Sequence, residues 1–299
     1  MSTLLADPPG RQGPGPMQGA LVESLDLVLA GRASGALPGE RRAAGRGTGT
    51  ELSQIRPYQF GDDVRNLDAA ASARTGHPHV RDHVPERTLT TWLLVDVSAS
   101  MAFGTADRLK SDVAEGVAQV VGRAATRHGG RLAVLTAGSA ERVLPPRGGP
   151  MAKLGLQRLL AEGVGVDGVA GRGLRPVLHR VGKLARQPGL VVVVSDFRGP
   201  VDWTRPLRGL GSRHRLLAVE IRDPREERLE PAGRLALVDP ETGSLLEVDT
   251  SHRGLRERFA AAAAEERAGV ATELRKAGAH HVVLSTSGDW MRALGRALH

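Results

Sequence analysis

The sequence contains no cysteine, which excludes disulfides, thiolate metal sites and cysteine nucleophiles. Aromatic residues are scarce, at 3% of 299 residues, with four Phe, three Trp and one Tyr. The core must therefore be built from Leu, Val and Ala, and few rings remain as stacking platforms for single-stranded nucleic acid. Long apolar runs are missing too. A run such as LVVVV at Leu190–Val194 is strand-length, far short of the ~18–20 residues of a membrane-spanning helix. The amino-terminal MSTLLADPPGRQGPGPMQG lacks a basic region followed by an apolar block, so it does not read as a secretory signal. These absences imply a cytoplasmic protein with no membrane span.

What the chain does have is charge of both signs. Lys and Arg number 41 against 33 Asp and Glu, leaving a net charge of +8. The basic residues are scattered rather than massed and no nucleic-acid motif accompanies them, so nucleic acid is not the expected partner. A hydrophobic fraction of 40% over this length suffices for one large domain with additional segments.

Three regions follow from composition. Residues 1–19 are rich in Pro and Gly and read as a disordered arm. Residues 20–87 form an N-terminal segment. In it Leu21, Leu25, Leu27 and Val28 have the spacing of a short amphipathic helix; a basic, Gly-rich loop and a GDD-x-R block follow. Residues 88–299 alternate between strand and helix patterns. The apolar stretches TLTTWLLVD, RLAVLTAG, LVVVVS, RLLAVEIRD and HHVVLSTS read as strands. Helical patterns lie between them, including one beginning near Asp107 and a long one over Ser251–Gly278. ERVLPP pairs with RLAVLTAG as a hairpin, and DPETGS joins a second hairpin. Such alternation predicts a doubly wound α/β fold with a mostly parallel sheet covered on both faces. In such sheets ligands bind beyond the carboxyl ends of the strands.

Two polar tips fall at those ends: DVSAS at Asp96–Ser100 and SDF at Ser195–Phe197. Asp96, Ser98 and Ser100, at i, i+2 and i+4 of a turn, can converge on one point. One carboxylate and two hydroxyls make a hard oxygen site of the kind that suits Mg²⁺ or Mn²⁺. Asp196 could add a second carboxylate through a bridging water. The competing reading is that Asp96 and the serines merely cap the helix near Asp107.

Catalytic signatures are missing. No GxxxxGK[ST] loop, GxSxG elbow or HExxH occurs. A strand ending in Asp is also the nucleophile motif of haloacid-dehalogenase-type phosphatases. Their acid/base Asp two residues later is here Ser98, which argues against an aspartyl intermediate; a metal-dependent phosphatase or nuclease stands as the remote enzymatic alternative. His77, His79 and His83 in HPHVRDH read as an exposed segment without the acidic or Cys complement of a zinc site. His280 and His281 read as residues bounding the last strand.

The chain resembles the bacterial family called domain of unknown function 58. The resemblance rests on R-x-Y-x-x-G-D-D-x-R-x-x-D at Arg56–Asp68, A-S-A-R at Ala71–Arg74 and D-x-S-x-S-M-x-F-G from Asp96, with LVVVVSDF and EIRDPREERL later. It implies a von Willebrand factor A-like domain with a metal-ion-dependent adhesion site. It also implies a non-catalytic adaptor that works with a MoxR-type AAA+ ATPase on an unknown client, in chaperone-like maturation or regulation. The family's adhesion site includes a loop Thr, but no Ser or Thr lies between Glu141 and Val194. Matching its neighbouring leucines to Leu174 and Leu178 puts Arg172 at the Thr position. Arg172 could replace the cation in a metal-free interaction module, and Asp167 could compensate as a ligand. Upstream, Asp62, Asp63, Arg65, Asp68 and Arg74 alternate in sign, as suits an internal ion-pair network around the turn at Gly61.

Overall fold

The computed structural model describes residues 13–15, 51–84, 89–138, 141–164, 173–239 and 242–298. The helix expected at 20–29 and its basic loop lie outside these residues, as do Asp167 and Arg172. The chain divides into two compact units, Gly39–Thr88 and Met1–Pro38 with Leu89–His299.

In the smaller unit, β1 (Glu51–Pro57) pairs antiparallel with β2 (His79–Val84), and α1 (Ala69–Thr75) lies between them in sequence. The alternating charges do build a network here. Asp68 caps α1 by accepting from the Ala71 amide at 2.7 Å, and its other oxygen accepts from Arg81 Nε at 2.7 Å. Asp62 takes both guanidinium nitrogens of Arg56, at 2.8 and 3.0 Å, and the Gln59 amide at 2.8 Å. Asp63 caps the single turn Val64–Asn66 through the Arg65 amide at 3.0 Å. The expected cations were Arg65 and Arg74, but both are exposed. Arg56 and Arg81, on the two strands, meet the buried carboxylates instead, because the hairpin carries them back over the block. HPHVRDH is exposed at His77, Pro78 and Arg81, as expected; from His79 it forms β2, with Val80 buried and His79 Nδ1 2.8 Å from the His77 carbonyl.

The larger unit runs β3 (Thr90–Asp96), α2 (Lys110–Thr126), β4 (Arg131–Ala137), β5 (Val143–Gly148), α3 (Gly149–Ala161), α4 (Leu174–Leu184), β6 (Leu190–Ser195), α5 (Thr204–Gly211), β7 (Arg215–Arg222) and the single turn α6 (Pro224–Glu227). There follow β8 (Arg234–Val238), β9 (Leu245–Asp249), α7 (Arg253–Lys276), β10 (Ala279–Ser285) and α8 (Trp290–Leu298). Six strands form one sheet in the order β10-β7-β6-β3-β4-β5, all parallel except β5 at the edge. This is the doubly wound α/β architecture expected from the alternation. β8 and β9 pair as a separate hairpin.

The β-branched runs fit strands buried on both faces. Leu93 and Val95 point into one core with α2, α3 and α8; Trp92 and Leu94 point into the other with α4, α5 and α7. Each fully buried Val or Leu contributes roughly 1.5–3 kcal/mol relative to exposure. α4 illustrates how sequence spacing selects the face: Leu174, Val177, Leu178 and Val181 recur at helical period and are all buried. Among the described residues no helix is long and apolar enough to cross a membrane.

Two boundaries differ from expectation. The helix expected from Asp107 begins at Lys110, because Asp112 accepts from the Leu109 amide at 3.0 Å and sets the first turn. His280 and His281 lie inside β10, where His281 Nε2 meets Glu220 Oε2 at 2.8 Å.

Candidate functional site

The order of the central sheet reverses between β3 and β6, which are neighbours although β4 and β5 come between them in sequence. Outside the carboxyl ends of strands at such a switch point the flanking connections diverge and leave a crevice. Asp96 is the last residue of β3, and Ser195, the last of β6, is followed by Asp196.

Asp96, Ser98 and Ser100 come together as the spacing predicts. Asp96 Oδ1 accepts from the Ser98 amide at 3.0 Å and the Ser98 hydroxyl at 2.6 Å. The Ser98 and Ser100 hydroxyls lie 3.1 Å apart. The loop is fixed from beneath: the Val97 amide donates to the Ala137 carbonyl at 2.8 Å. Gly138, at φ +131°, comes so near that a Cβ there would lie 2.8 Å from the Ser98 nitrogen. The capping alternative fails, since Asp112 caps α2 and Asp96 turns to its own loop and to β6.

Two side chains of the cluster were not singled out by the sequence. Ser195 is fully buried and donates to Asp96 Oδ2 at 2.6 Å. It thus supplies a hydroxyl to the carboxylate despite the lack of Ser or Thr upstream of it. Lys110, also fully buried, donates to Asp196 Oδ2 and to Glu226 Oε1, both at 2.6 Å. Its ammonium lies 5.8 Å from the Phe103 ring centroid. Lys110 opens α2, where the helix dipole disfavours a cation, so the two carboxylates must hold it there. Sequence position marked Lys110 as an ordinary polar residue of DRLKSDVAE; only its meeting with Asp196, 86 residues away, reveals it.

Beyond Lys110 the charges interlock. Arg198 pairs with Glu226 at 3.1 Å. Arg267 donates to the Asp196 carbonyl at 2.8 Å and to Glu220 at 3.0 Å. Asp223 accepts from Thr105 and Thr286, tying α6 to the loop before α2 and to the end of β10. The backbone next to Asp196 is strained. Phe197 has φ +53°, the one positive value outside glycine among the described residues, and stays there because its ring packs edge-on against Trp203 at 5.2 Å. Such strain concentrates at sites that must present a side chain in a fixed direction.

The two carboxylates titrate in opposite directions. Burial and the neighbouring Asp196 charge push Asp96 up to about 6, against the lowering by the Ser195 and Ser98 hydrogen bonds. Burial raises Asp196 as well, but the Lys110 ammonium outweighs it and holds the group below the usual carboxylate range. Lys110 itself is disfavoured by burial and raised, on balance, by Asp196 and Glu226.

A cation fits the donor set around Asp96: a buried carboxylate with no ammonium or guanidinium among its hydrogen-bond donors in the described residues, two hydroxyls within 3.1 Å of each other and a second carboxylate nearby. Asp196 is engaged by Lys110, by the Arg198 amide at 3.1 Å and by the Ser100 hydroxyl, so Asp96, Ser98 and Ser100 are the residues that would meet a cation directly. Among the described residues no group of three or more His, Asp or Glu that could hold a metal occurs, so the set depends on its hydroxyls.

The family described as "Protein of unknown function DUF58" matches residues 54–269. The chain belongs to this family. An uncharacterized protein of Mycobacterium tuberculosis and one of Mycobacterium bovis are each 38% identical to it over 282 residues, covering 94% of this chain and 89% of the relative. Among solved structures, a conserved hypothetical protein, BatB, from Bacteroides thetaiotaomicron is similar at 9% identity and a TM-score of 0.41, covering 70% of this chain and 97% of that one. A von Willebrand factor type A protein from Catenulispora acidiphila is similar at 13% identity and a TM-score of 0.38, covering 74% of this chain and 44% of that one. The DUF58 membership is the one expected from the blocks at Arg56–Asp68 and Asp96.

Proposed function

We infer that this DUF58 protein is a non-catalytic adaptor that docks partner proteins at the switch point, with a divalent cation held by Asp96, Ser98 and Ser100. One observation carries the reading: a buried carboxylate that accepts from the Ser98 and Ser195 hydroxyls, with the Ser100 hydroxyl 3.1 Å from that of Ser98, stands at the carboxyl edge of the sheet with its pKa raised to about 6. A bound Mg²⁺ or Mn²⁺ would supply an open coordination position for a carboxylate from the partner. Ser98 and Ser100 would offer their hydroxyl oxygens to the cation, Ser195 holds the far oxygen of Asp96, and Lys110 keeps Asp196 ionised and in place. A phosphotransfer reading would need a second carboxylate where Ser98 stands. The partner proposed from the family resemblance is a MoxR-type AAA+ ATPase, and the compartment is the cytoplasm.

With one carboxylate among the direct ligands, the affinity is expected to be weak, roughly millimolar, since ligand charge sets the strength of such oxygen sites. Calorimetric titration of the purified chain with Mn²⁺ or Mg²⁺ tests this. Saturable heat that disappears in Asp96→Ala supports the reading. Absence of saturable heat at millimolar metal removes the cation from it and leaves a metal-free docking edge.

A further inference from the structure

The amino-terminal arm reads as disordered from its composition, yet Gly13, Pro14 and Gly15 are seated in a notch between α2 and α8. The Gly13 amide donates to Asp112 Oδ1 at 3.0 Å. The Pro14 carbonyl accepts two hydrogen bonds, from Arg108 Nη1 at 2.7 Å and from Trp290 Nε1 at 2.9 Å. Asp112 is fully buried and Trp290 is 3% exposed, so the donors and acceptor that face the tripeptide are built into the fold.

The notch is shaped for this tripeptide. Gly13 and Gly15 adopt φ of +70° and +79°, a region that favours glycine. A Cβ on Gly15 would lie 2.8 Å from Arg108 Nη1. On the receiving side, Gly116 sits in the interior of α2, where glycine is disfavoured relative to alanine. A Cβ there would lie 2.3 Å from the Trp290 ring and 2.9 Å from Pro14 Cβ. Helix propensity is given up at Gly116 to admit the indole and the proline. The proline's fixed φ lowers the entropy lost on docking.

We propose that this notch is a peptide-binding site for a Gly-Pro-Gly segment, filled in this chain by residues 13–15 of its own arm. Its recognition elements are the paired donors of Arg108 and Trp290 to the proline carbonyl, the Asp112 carboxylate for the preceding amide, and the bare α2 surface at Gly116. The site is separate from the Asp96 cluster, and the proposal stands whether or not that cluster holds a cation.

The cysteine-free sequence makes the test direct. A single spin label on Gln12→Cys in the full chain reports the mobility of the arm. Restricted motion is expected in the otherwise unchanged chain, with release to free nanosecond motion in Gly15→Ala, a change confined to the arm that leaves the core intact. The notch exposed in the Gly15→Ala chain should then bind the synthetic peptide RQGPGPMQG with saturable heat. The same peptide with its central Gly-Pro-Gly changed to Gly-Pro-Ala should bind at least about tenfold more weakly, a difference of about 1.4 kcal/mol. Equal label mobility in the two chains, or equal binding of the two peptides, overturns the proposal.

Discussion

Lys110→Met is expected to lower folding stability by about 3–5 kcal/mol, the usual cost of leaving a buried charge without its partner. The ammonium is fully buried and holds Asp196, whose side chain is 2% exposed, and Glu226 at 10%. Glu226 keeps Arg198 at 3.1 Å, so the uncompensated charge falls chiefly on Asp196. Urea denaturation of Lys110→Met, Asp196→Asn and the double variant forms a cycle. Coupling predicts that the double variant loses less than the sum of the singles. A Lys110→Met loss under about 1 kcal/mol, in the range of a surface pair, would contradict the assignment. The same variant frees Asp196 toward the Asp96 cluster, so added Mn²⁺ should raise its melting temperature more than that of the unchanged chain.

Asp96→Asn is expected to stabilise the metal-free protein at neutral pH. The folded-state pKa of Asp96 is raised from 3.8 to about 6, so the folded state binds the proton more tightly than the unfolded chain. That contribution is fully present below about pH 4 and is lost as pH rises through 6. Above that pH the ionised carboxylate costs the fold on the order of 3 kcal/mol, from 1.36 kcal/mol per unit. Asp223 and Glu220, whose pKa values are held low by hydrogen bonds despite burial, give the opposite slope in acid. The informative quantity is therefore the difference between Asp96→Asn and the unchanged chain, measured by thermal unfolding in metal-free buffer. It should grow in favour of the variant between pH 4 and 6 and level off above. A constant difference across that window would mean that Asp96 titrates normally.

Much of the fold was legible because it depends on local pattern. Runs such as LVVVV and WLLV name strands buried on both faces, and Leu174, Val177, Leu178 and Val181 name a helix face. The placement of Asp96, Ser98, Ser100 and Asp196 at the strand ends was legible, since small polar residues ending a buried strand stand out against it. What escaped depends on contacts between distant segments. Lys110 looks like a solvated helix residue until the sheet brings Asp196 to it. Glu226, in DPREE, gains meaning only when α6 folds over that ammonium. Arg56 and Arg81 were passed over for Arg65 and Arg74, because strand pairing, not sequence proximity, decides which guanidinium reaches a buried carboxylate. Gly13–Gly15 sat in a stretch whose composition signals disorder, and only Arg108, Asp112, Gly116 and Trp290 together give it a seat.

The central claim is that the carboxyl edge of the sheet at Asp96 is a docking surface. Its most direct test is the affinity of the full chain for a MoxR-type AAA+ ATPase from the same cell, measured by biolayer interferometry with Mg²⁺ and with EDTA. Binding is expected in Mg²⁺ and should weaken at least about tenfold, or about 1.4 kcal/mol, both with EDTA and in a folded Asp96→Ala chain. Binding that is unchanged by EDTA and by Asp96→Ala would contradict it.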